Sequence, residues 1–225
     1  IRMRVGLGVA LVGLVACVGC GPEDPVAAIT AMGGRVLVDK NGTAVKMSFD
    51  YNPGGNQGTD QVTDAGLKHL KGMTKLVELY FGGQKVTDAG LVHLKGLTNL
   101  ETLVLRGTGI DGPGLAHLKG LTNFTNLYLG GPRFGDAGLA YLKGLTKLER
   151  LALSITSVTD AGLMHLKGLT KLEYLGLSST KVTDTGLVHL KGLTSLQQLR
   201  LRYTKITDAG LVHLKGLTKL KFLQL

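Results

Sequence analysis

The sequence predicts an α/β solenoid, and three observations predict it. The phrase that begins at Val86 and runs to Leu105 returns every 24 residues from Val62 onward. One half of each unit alternates its apolar residues as a strand does, and the other half spaces its leucines as a helix does. Because one such unit cannot bury its own apolar face, neighbouring units must stack. We therefore expect function to reside on a surface of the stack.

The strand half of the unit follows the pattern Leu-x-x-Leu-x-Leu, as at Leu172, Leu175 and Leu177. The last two leucines alternate with other residues, which predicts a strand with one buried face. No insertion interrupts the series of central leucines, which falls at Leu79, Leu103, Leu127, Leu151, Leu175, Leu199 and Leu223.

The other half of the unit predicts a helix of about two turns, because Leu187, Leu190 and Leu193 recur at a spacing of three. The residue before the first turn is Thr in five units and Asp111 or Gly135 in the others, and all three residue types serve as N-caps. At the other end a Lys precedes a Gly in every unit. This pair predicts a cation in the last turn and a left-handed Gly after it.

Composition indicates a folded domain, because 44% of the 225 residues are hydrophobic and 19% are charged. The formal net charge of +10 favours acidic proteins, polyanions or anionic surfaces as partners. Both cysteines precede the repeats, so neither a disulfide framework nor a cysteine metal site is expected to stabilise the fold.

Residues 1–20 have the layout of an export signal, with two arginines followed by an apolar run over Val5–Ala16. The run is short against the roughly 20 residues that a membrane-spanning helix needs. Leu14–Cys17 resembles the lipobox of bacterial lipoproteins, which predicts lipidation at Cys17, with Cys20 as the alternative. The other interpretations are plain secretion and a hydrophobic leader with incidental thiols.

Residues 21–61 predict a linker and an N-terminal cap for the first repeat. The cap consists of a short helix over Val26–Met32 and a hairpin over Arg35–Phe49, which turns at an Asn-Gly pair. Asn52–Asp60 is Gly-rich and is interpreted as a mobile loop or, alternatively, a metal-binding loop. Residues 62–225 then hold about seven repeats, and Leu225 falls inside a repeat, so a C-terminal cap is missing and truncation at either end stays open.

The stretch from Leu172 to Val182, with its pattern Leu-x-x-Leu-x-Leu-x-x-Thr-x-Val, resembles the leucine-rich repeat. The Thr-Asp-Ala-Gly-Leu that follows resembles repeats of planctomycete-type bacteria, which are related to the cysteine-containing repeats of F-box proteins. The resemblance implies a right-handed horseshoe with a parallel sheet on the concave face, short helices on the convex face, and a non-catalytic role in protein binding.

One departure from the family pattern is a Thr where Asn or Cys is usual. We expect its hydroxyl to hydrogen-bond the turn backbone between neighbouring coils. The residues concerned are Thr108, Thr156, Thr180 and Thr204.

No constellation of residues predicts catalysis, a cofactor or a metal site. All six histidines occupy one repeat position, which Tyr141 takes in a seventh unit, and no acidic or thiol residue accompanies them at a ligand spacing. We interpret them as a structural row. The residues are His69, His93, His117, His165, His189 and His213.

The residues that flank the strand leucines are the candidates for binding, because alternate side chains of a strand point to opposite faces. They form three rows down the concave face. Tyr and Arg, the residues enriched at interface hot spots, recur in these rows. The predicted partner-binding residues are Glu78, Tyr80, Arg106, Tyr128, Arg150, Tyr174, Arg200 and Arg202. The competing interpretation is an ordinary hydrophilic sheet surface without a ligand.

The leading hypothesis is an exported, lipid-anchored module of the cell envelope that binds a protein. The second is a binder of an anionic polymer, polysaccharide or nucleic acid, through Arg150, Arg200 and Arg202; binding that collapses with added salt would favour it. Nucleic acid is not the expected partner, because the repeated lysines are largely offset by repeated aspartates. A third hypothesis is an intracellular adapter of the F-box type, which cell fractionation would separate from the first.

Overall fold

Nine strands lie in chain order across one sheet in the computed structural model, which describes residues 24–49 and 62–225. Strands β1 (Gly34–Val38) and β2 (Ala44–Phe49) form an antiparallel hairpin, and every later neighbour pair is parallel. The seven repeat strands are β3 (Glu78–Gly82), β4 (Thr102–Arg106), β5 (Asn126–Gly130), β6 (Arg150–Ala152), β7 (Tyr174–Gly176), β8 (Gln198–Arg200) and β9 (Phe222–Gln224).

The register of the sheet follows the sequence period, because each repeat strand pairs with its neighbour at an offset of one unit. Leu103 pairs with Leu79 and Leu127, and the same alignment continues to Leu223. The central leucines are fully buried as far as Leu199, whereas Leu223 on the edge strand is 37% exposed. The predicted strand register is confirmed.

The helix side of each coil is a short helix of five to seven residues, which confirms the predicted short helices, and most of these residues form 3₁₀ turns. A 3₁₀ helix has three residues per turn, and leucines three apart therefore lie on one side of it. Four-residue α-helices occur at α2 (Asp136–Leu139), α3 (Asp160–Leu163) and α4 (Asp208–Leu211). The 3₁₀ segments are Gly66–Leu70, Asp88–Leu94, Pro113–Leu118, Ala140–Leu142, Met164–Leu166, Gly186–Leu190 and Val212–Leu214.

The predicted threonine caps are present at Thr87, Thr159 and Thr207, whose hydroxyl oxygens accept from the N–H two residues on at 3.2–3.3 Å. The predicted left-handed Gly at the other end is wrong for six of the seven glycines that follow a Lys, because Gly72 alone has a positive φ. A further turn follows in each coil, as where Leu97 N donates to Leu94 O.

The repeat threonines bond within their own coil, which corrects the expectation of a contact between coils. Thr156, Thr180 and Thr204 each donate to the carbonyl three residues earlier, at 2.5–2.7 Å. The carbonyl at that offset belongs to the leucine directly after the strand, such as Leu177. The hydroxyl therefore closes the turn that leaves the strand.

The first repeat is covered by α1 (Pro25–Ala31) and the β1–β2 hairpin. Asp24 caps α1 by accepting from Val26 N at 3.0 Å, and Gly42 takes a positive φ at the hairpin turn. Strand β2 then pairs in parallel with β3. The predicted leader with Cys17 and Cys20 and the Gly-rich Asn52–Asp60 lie outside the described residues. Among the residues that are described, no helix is long and apolar enough to cross a membrane.

Candidate functional site: the concave face

The parallel register aligns the residues between the strand leucines into three rows on the concave face. The first row is Glu78, Thr102, Asn126, Arg150, Tyr174, Gln198 and Phe222. The second row is Tyr80, Val104, Tyr128, Ala152, Gly176, Arg200 and Gln224. The third row is Gly82, Arg106, Gly130, Ser154, Ser178 and Arg202, continuing the same strands.

All eight predicted partner-binding residues lie in these rows, and each side chain is at least partly exposed. Other row members are buried, namely Gly82, Thr102, Ala152 and Gly176. The exposed members fall into two groups. One lies on β2–β5, and the other lies on β6–β9.

The first group contains a hydrogen-bonded cluster of Lys46, Glu78 and Tyr80. Tyr80 Oη donates to Glu78 Oε2 at 2.6 Å, and Lys46 Nζ lies 2.7 Å from the same oxygen. Burial raises the pKa of Glu78, but the hydrogen bonds from Lys46 and Tyr80 outweigh it and hold that pKa below its usual value. Burial and the bond to Glu78 raise the pKa of Tyr80 well above its ordinary value. The cluster is thus an ion pair with a neutral phenol.

A depression of about 480 Å³ opens beside this cluster. Asn126 Nδ2 donates to Thr102 Oγ1 at 3.1 Å, which orients the amide inside the depression. On the far side the Arg106 guanidinium carbon lies 5.4 Å from the centre of the Tyr128 ring. The lining residues are Glu78, Tyr80, Phe81, Thr102, Val104, Arg106, Asn126 and Tyr128.

The second group is a file of alternating guanidinium groups and aromatic rings, which we call the arginine file. Arg150 and Arg200 lie 5.0 and 5.7 Å from the centre of the Tyr174 ring. Arg200 also lies 5.8 Å from the centre of the Phe222 ring. At these distances each cation is attracted to the negative face of a ring.

Gly176 makes room for the Tyr174 ring. A Cβ at position 176 would lie 3.0 Å from Tyr174 Oη and 3.3 Å from its Cε1, so a larger residue would push the ring away. The ring therefore lies over the backbone of its own strand, between the two arginines. Next to the file, Arg202 lies 4.7 Å from the centre of the Tyr203 ring.

Comparisons with known proteins agree with this architecture. The leucine-rich repeat family model matches residues 168–190 and 192–214. The crystal structure of internalin C2 from Listeria monocytogenes is similar, with a TM-score of 0.54 and 22% identity over 90% of this chain and 92% of that chain. The fold is the leucine-rich repeat horseshoe. Another internalin structure from that organism, also 22% identical, covers 91% of this chain and 75% of that chain, with a TM-score of 0.47. No curated protein matches the sequence.

Sequence reasoning missed three residues at this site. Lys46 belongs to the hairpin, which lacks the repeat period, so nothing in the pattern aligned it with Glu78. Phe222 could have been predicted from the sequence, because it lies one period after Gln198. Tyr203 follows Arg202 directly, and its exposure of 71% became evident only from the structure.

The histidines form a half-buried row along the short helices of the 24-residue units. Burial and the nearby Lys167 lower the pKa of His189, against the opposing effect of Asp160. Within the described part of the chain, no three His, Cys, Asp or Glu side chains are grouped closely enough to hold a metal ion.

Proposed function

We propose that this chain is a non-catalytic interaction module that binds a protein partner on the concave face. The observation that carries the proposal is the alignment of tyrosines and arginines around an open depression of about 480 Å³. These two residue types contribute a large share of binding energy at known interfaces. The likeness to the internalin C2 structure supports the fold on which the proposal rests.

Rigidity is the second argument for this face. Its side chains stand on strands that hydrogen-bond to neighbours on both sides, from β3 to β8. Association costs less when the binding groups are already ordered, because fewer rotamers and loops must be fixed. Tyr128 and Tyr174 are further restrained by the arginines packed against their rings.

The proposal includes export and a lipid anchor on Cys17 or Cys20. It rests on the leader sequence, with its two arginines, its apolar run and its lipobox-like Leu14–Cys17. Fractionation of the source cells should recover the protein with the envelope. Recovery with the cytoplasm would contradict this part of the proposal and would favour the adapter hypothesis.

Photo-cross-linking tests the binding face directly. Tyr128 is replaced by p-benzoylphenylalanine in the full chain, which is then irradiated in an extract of the source cells. We expect a covalent adduct with a protein. The matched control carries the same group at Met164, which is 51% exposed but lies on the helix side of the coil. Adducts from position 164 and none from position 128 would contradict the proposal.

Truncation of the same side chain gives the quantitative test. Tyr128→Ala should weaken binding of the cross-linked partner on the order of tenfold to thirtyfold, as loss of an interface hot spot does. The melting temperature should stay nearly unchanged, because the side chain is only half-buried. Undiminished binding by this variant would move the site away from Tyr128.

A further inference from the structure

We infer that the arginine file recognises an extended acidic segment of the protein partner, so this inference rests on the proposed function. Arg150 and Arg200 are exposed, and no carboxylate pairs with either of them among the residues that the structure describes. Arg202, one row further on, is exposed and likewise has no acidic partner there. The β6–β9 half of the concave face therefore presents three uncompensated cations.

Stacking prepares these arginines for carboxylates in particular. An aromatic ring covers the flat face of a guanidinium group, while the N–H groups lie in its plane and remain available. A carboxylate accepts two of these N–H groups at once, which is the strong bidentate arrangement. The Tyr174 ring contacts Arg150 and Arg200, whose guanidinium carbons lie 5.0 and 5.7 Å from its centre, and neither guanidinium group donates a hydrogen bond to a described residue.

The spacing of the two cations suits an extended peptide. Both guanidinium carbons lie within 5.0 and 5.7 Å of the centre of one ring, so they are separated by at most the sum of these distances. In an extended strand, side chains two residues apart point the same way at roughly 6.6 Å. Alternate Asp or Glu residues of such a segment therefore reach both guanidinium groups.

One feature favours a protein segment over a bare polyanion such as polyphosphate. Phe222 and Tyr203 beside the file are 44% and 71% exposed, and their rings offer apolar contact that a chain of phosphates or sulfates cannot use.

The test measures binding of a labelled 12-residue peptide of alternating Glu and Ser to the full chain by fluorescence anisotropy. At physiological salt we expect it to bind at least about tenfold more tightly than the same peptide with Gln in place of Glu. Arg200→Gln should remove about tenfold of this affinity. Arg200→Lys should recover only part of it, because an ammonium group keeps the charge but not the planar pair of donors.

Arg133→Gln is the matched control, because Arg133 is exposed, lies outside the three rows and changes the net charge equally. It should leave the affinity within about twofold. Equal losses for Arg133→Gln and Arg200→Gln would overturn the inference in favour of unspecific charge attraction. Failure of the acidic peptide to bind would overturn it as well. Polyphosphate that binds more tightly and displaces the peptide would assign the file to a polyanion instead.

The inference and the proposed function fail in distinguishable ways. The Arg200→Gln change can be combined with the cross-linker at position 128. If this variant still captures the protein partner with undiminished affinity, the acidic segment is refuted and the proposed binding face is retained. If position 128 captures no protein at all, the proposed function itself fails. A melting temperature measured for every variant excludes loss of the fold as the cause.

Discussion

Ile155 adopts the left-handed region of backbone conformation, with φ of +60°, although its side chain is branched at Cβ. It is one of six residues spaced 24 apart that share a positive φ, namely Gly83, Gly107, Gly131, Ile155, Ser179 and Tyr203. The first three are glycines, for which this conformation costs little. For other residues it costs roughly 1–2 kcal/mol. The neighbouring coils hold Ile155 there, because its N–H donates to Ser178 O and its carbonyl accepts from Gly131 N.

We expect Ile155→Asn to raise the free energy of unfolding by about 1 kcal/mol, because Asn tolerates the left-handed conformation. Little burial is lost, since the isoleucine is 66% exposed. Ile155→Val is the matched control, which retains the branched Cβ and should change stability by less than about 0.5 kcal/mol. Urea unfolding measures both. An Asn variant no more stable than the Val variant would show that position 155 carries no backbone strain.

Sequence alone could not identify this row of left-handed residues. Three glycines at one repeat position suggest it, but Ile155 is a residue type that disfavours the conformation, so the pattern breaks where the structure continues. The hydrogen bonds between coils, which are long-range contacts, decide the backbone conformation at this position.

At the scale of the helical elements, an aspartate at or near the start of several short helices also connects one coil to the next. Asp160 Oδ1 accepts from Thr183 N at 2.7 Å, and its Oδ2 accepts from Thr183 Oγ1 at 2.6 Å. Asp64, Asp136 and Asp184 make the same pair of bonds with the Thr 23 residues later. Consecutive coils are thus joined on the helix side as well as through the sheet.

The glycine of the Thr-Asp-Ala-Gly-Leu phrase leaves space for this hydrogen-bonded contact between coils. A Cβ on Gly186 would overlap Asp160 Oδ1, and the same holds for Gly162 and Asp136. The carboxylate needs that space in order to reach the next coil. This geometry accounts for a glycine inside a short helix, where it is otherwise unfavourable.

Burial raises the pKa of Asp160, but hydrogen bonds from Thr183, Thr185 and Gly186 together lower it more, so the pKa lies below its usual value. The folded state therefore keeps this carboxylate ionised to a lower pH than the unfolded chain does. Its contribution to stability is complete above the unfolded pKa and is lost as the pH falls through the folded one. Asp184, whose pKa is lowered by hydrogen bonds from Thr207, acts in the same direction.

We expect the urea midpoint to fall as the pH is lowered from 6 to 3, and Asp160→Asn to flatten this dependence. At pH 7 the variant should lose about 1 kcal/mol, since solvent screens a largely exposed carboxylate. Asp111→Asn is the matched control, because Asp111 is exposed and its carboxylate accepts no hydrogen bond among the described residues. Identical pH profiles for Asp160→Asn and the unmodified chain would refute the role of the connection.

The sequence indicated Asp and Thr as signals of a helix start, and Thr159 confirms the cap. Their second role was not predictable from periodicity. Asp160 and Thr183 are 23 residues apart, and only the offset between stacked coils brings a residue near the one 23 positions later. Periodicity establishes which residues are equivalent, whereas contacts between equivalent coils depend on how the coils stack.

At the scale of the whole molecule, stacking separates the residues that stabilise the fold from those that are free to bind. Leu151 is fully buried, while its neighbour Arg150 is exposed on the concave face. The period predicted this division correctly for the repeat strands, because the parallel register reproduces it in every coil. It could not predict the contact of Lys46 with Glu78, since the hairpin lies outside the period.

The concave binding face depends on this alternation of buried and exposed side chains, and the unfolding free energies of two adjacent variants test the alternation most directly. Leu151→Ala removes a side chain packed between Leu127 and Leu175 and should cost about 2–5 kcal/mol. Arg150→Ala removes an exposed side chain with one cation–π contact and should cost less than about 1 kcal/mol. A loss at Arg150 as large as at Leu151, or no loss at Leu151, would contradict the inward leucines and the free concave face.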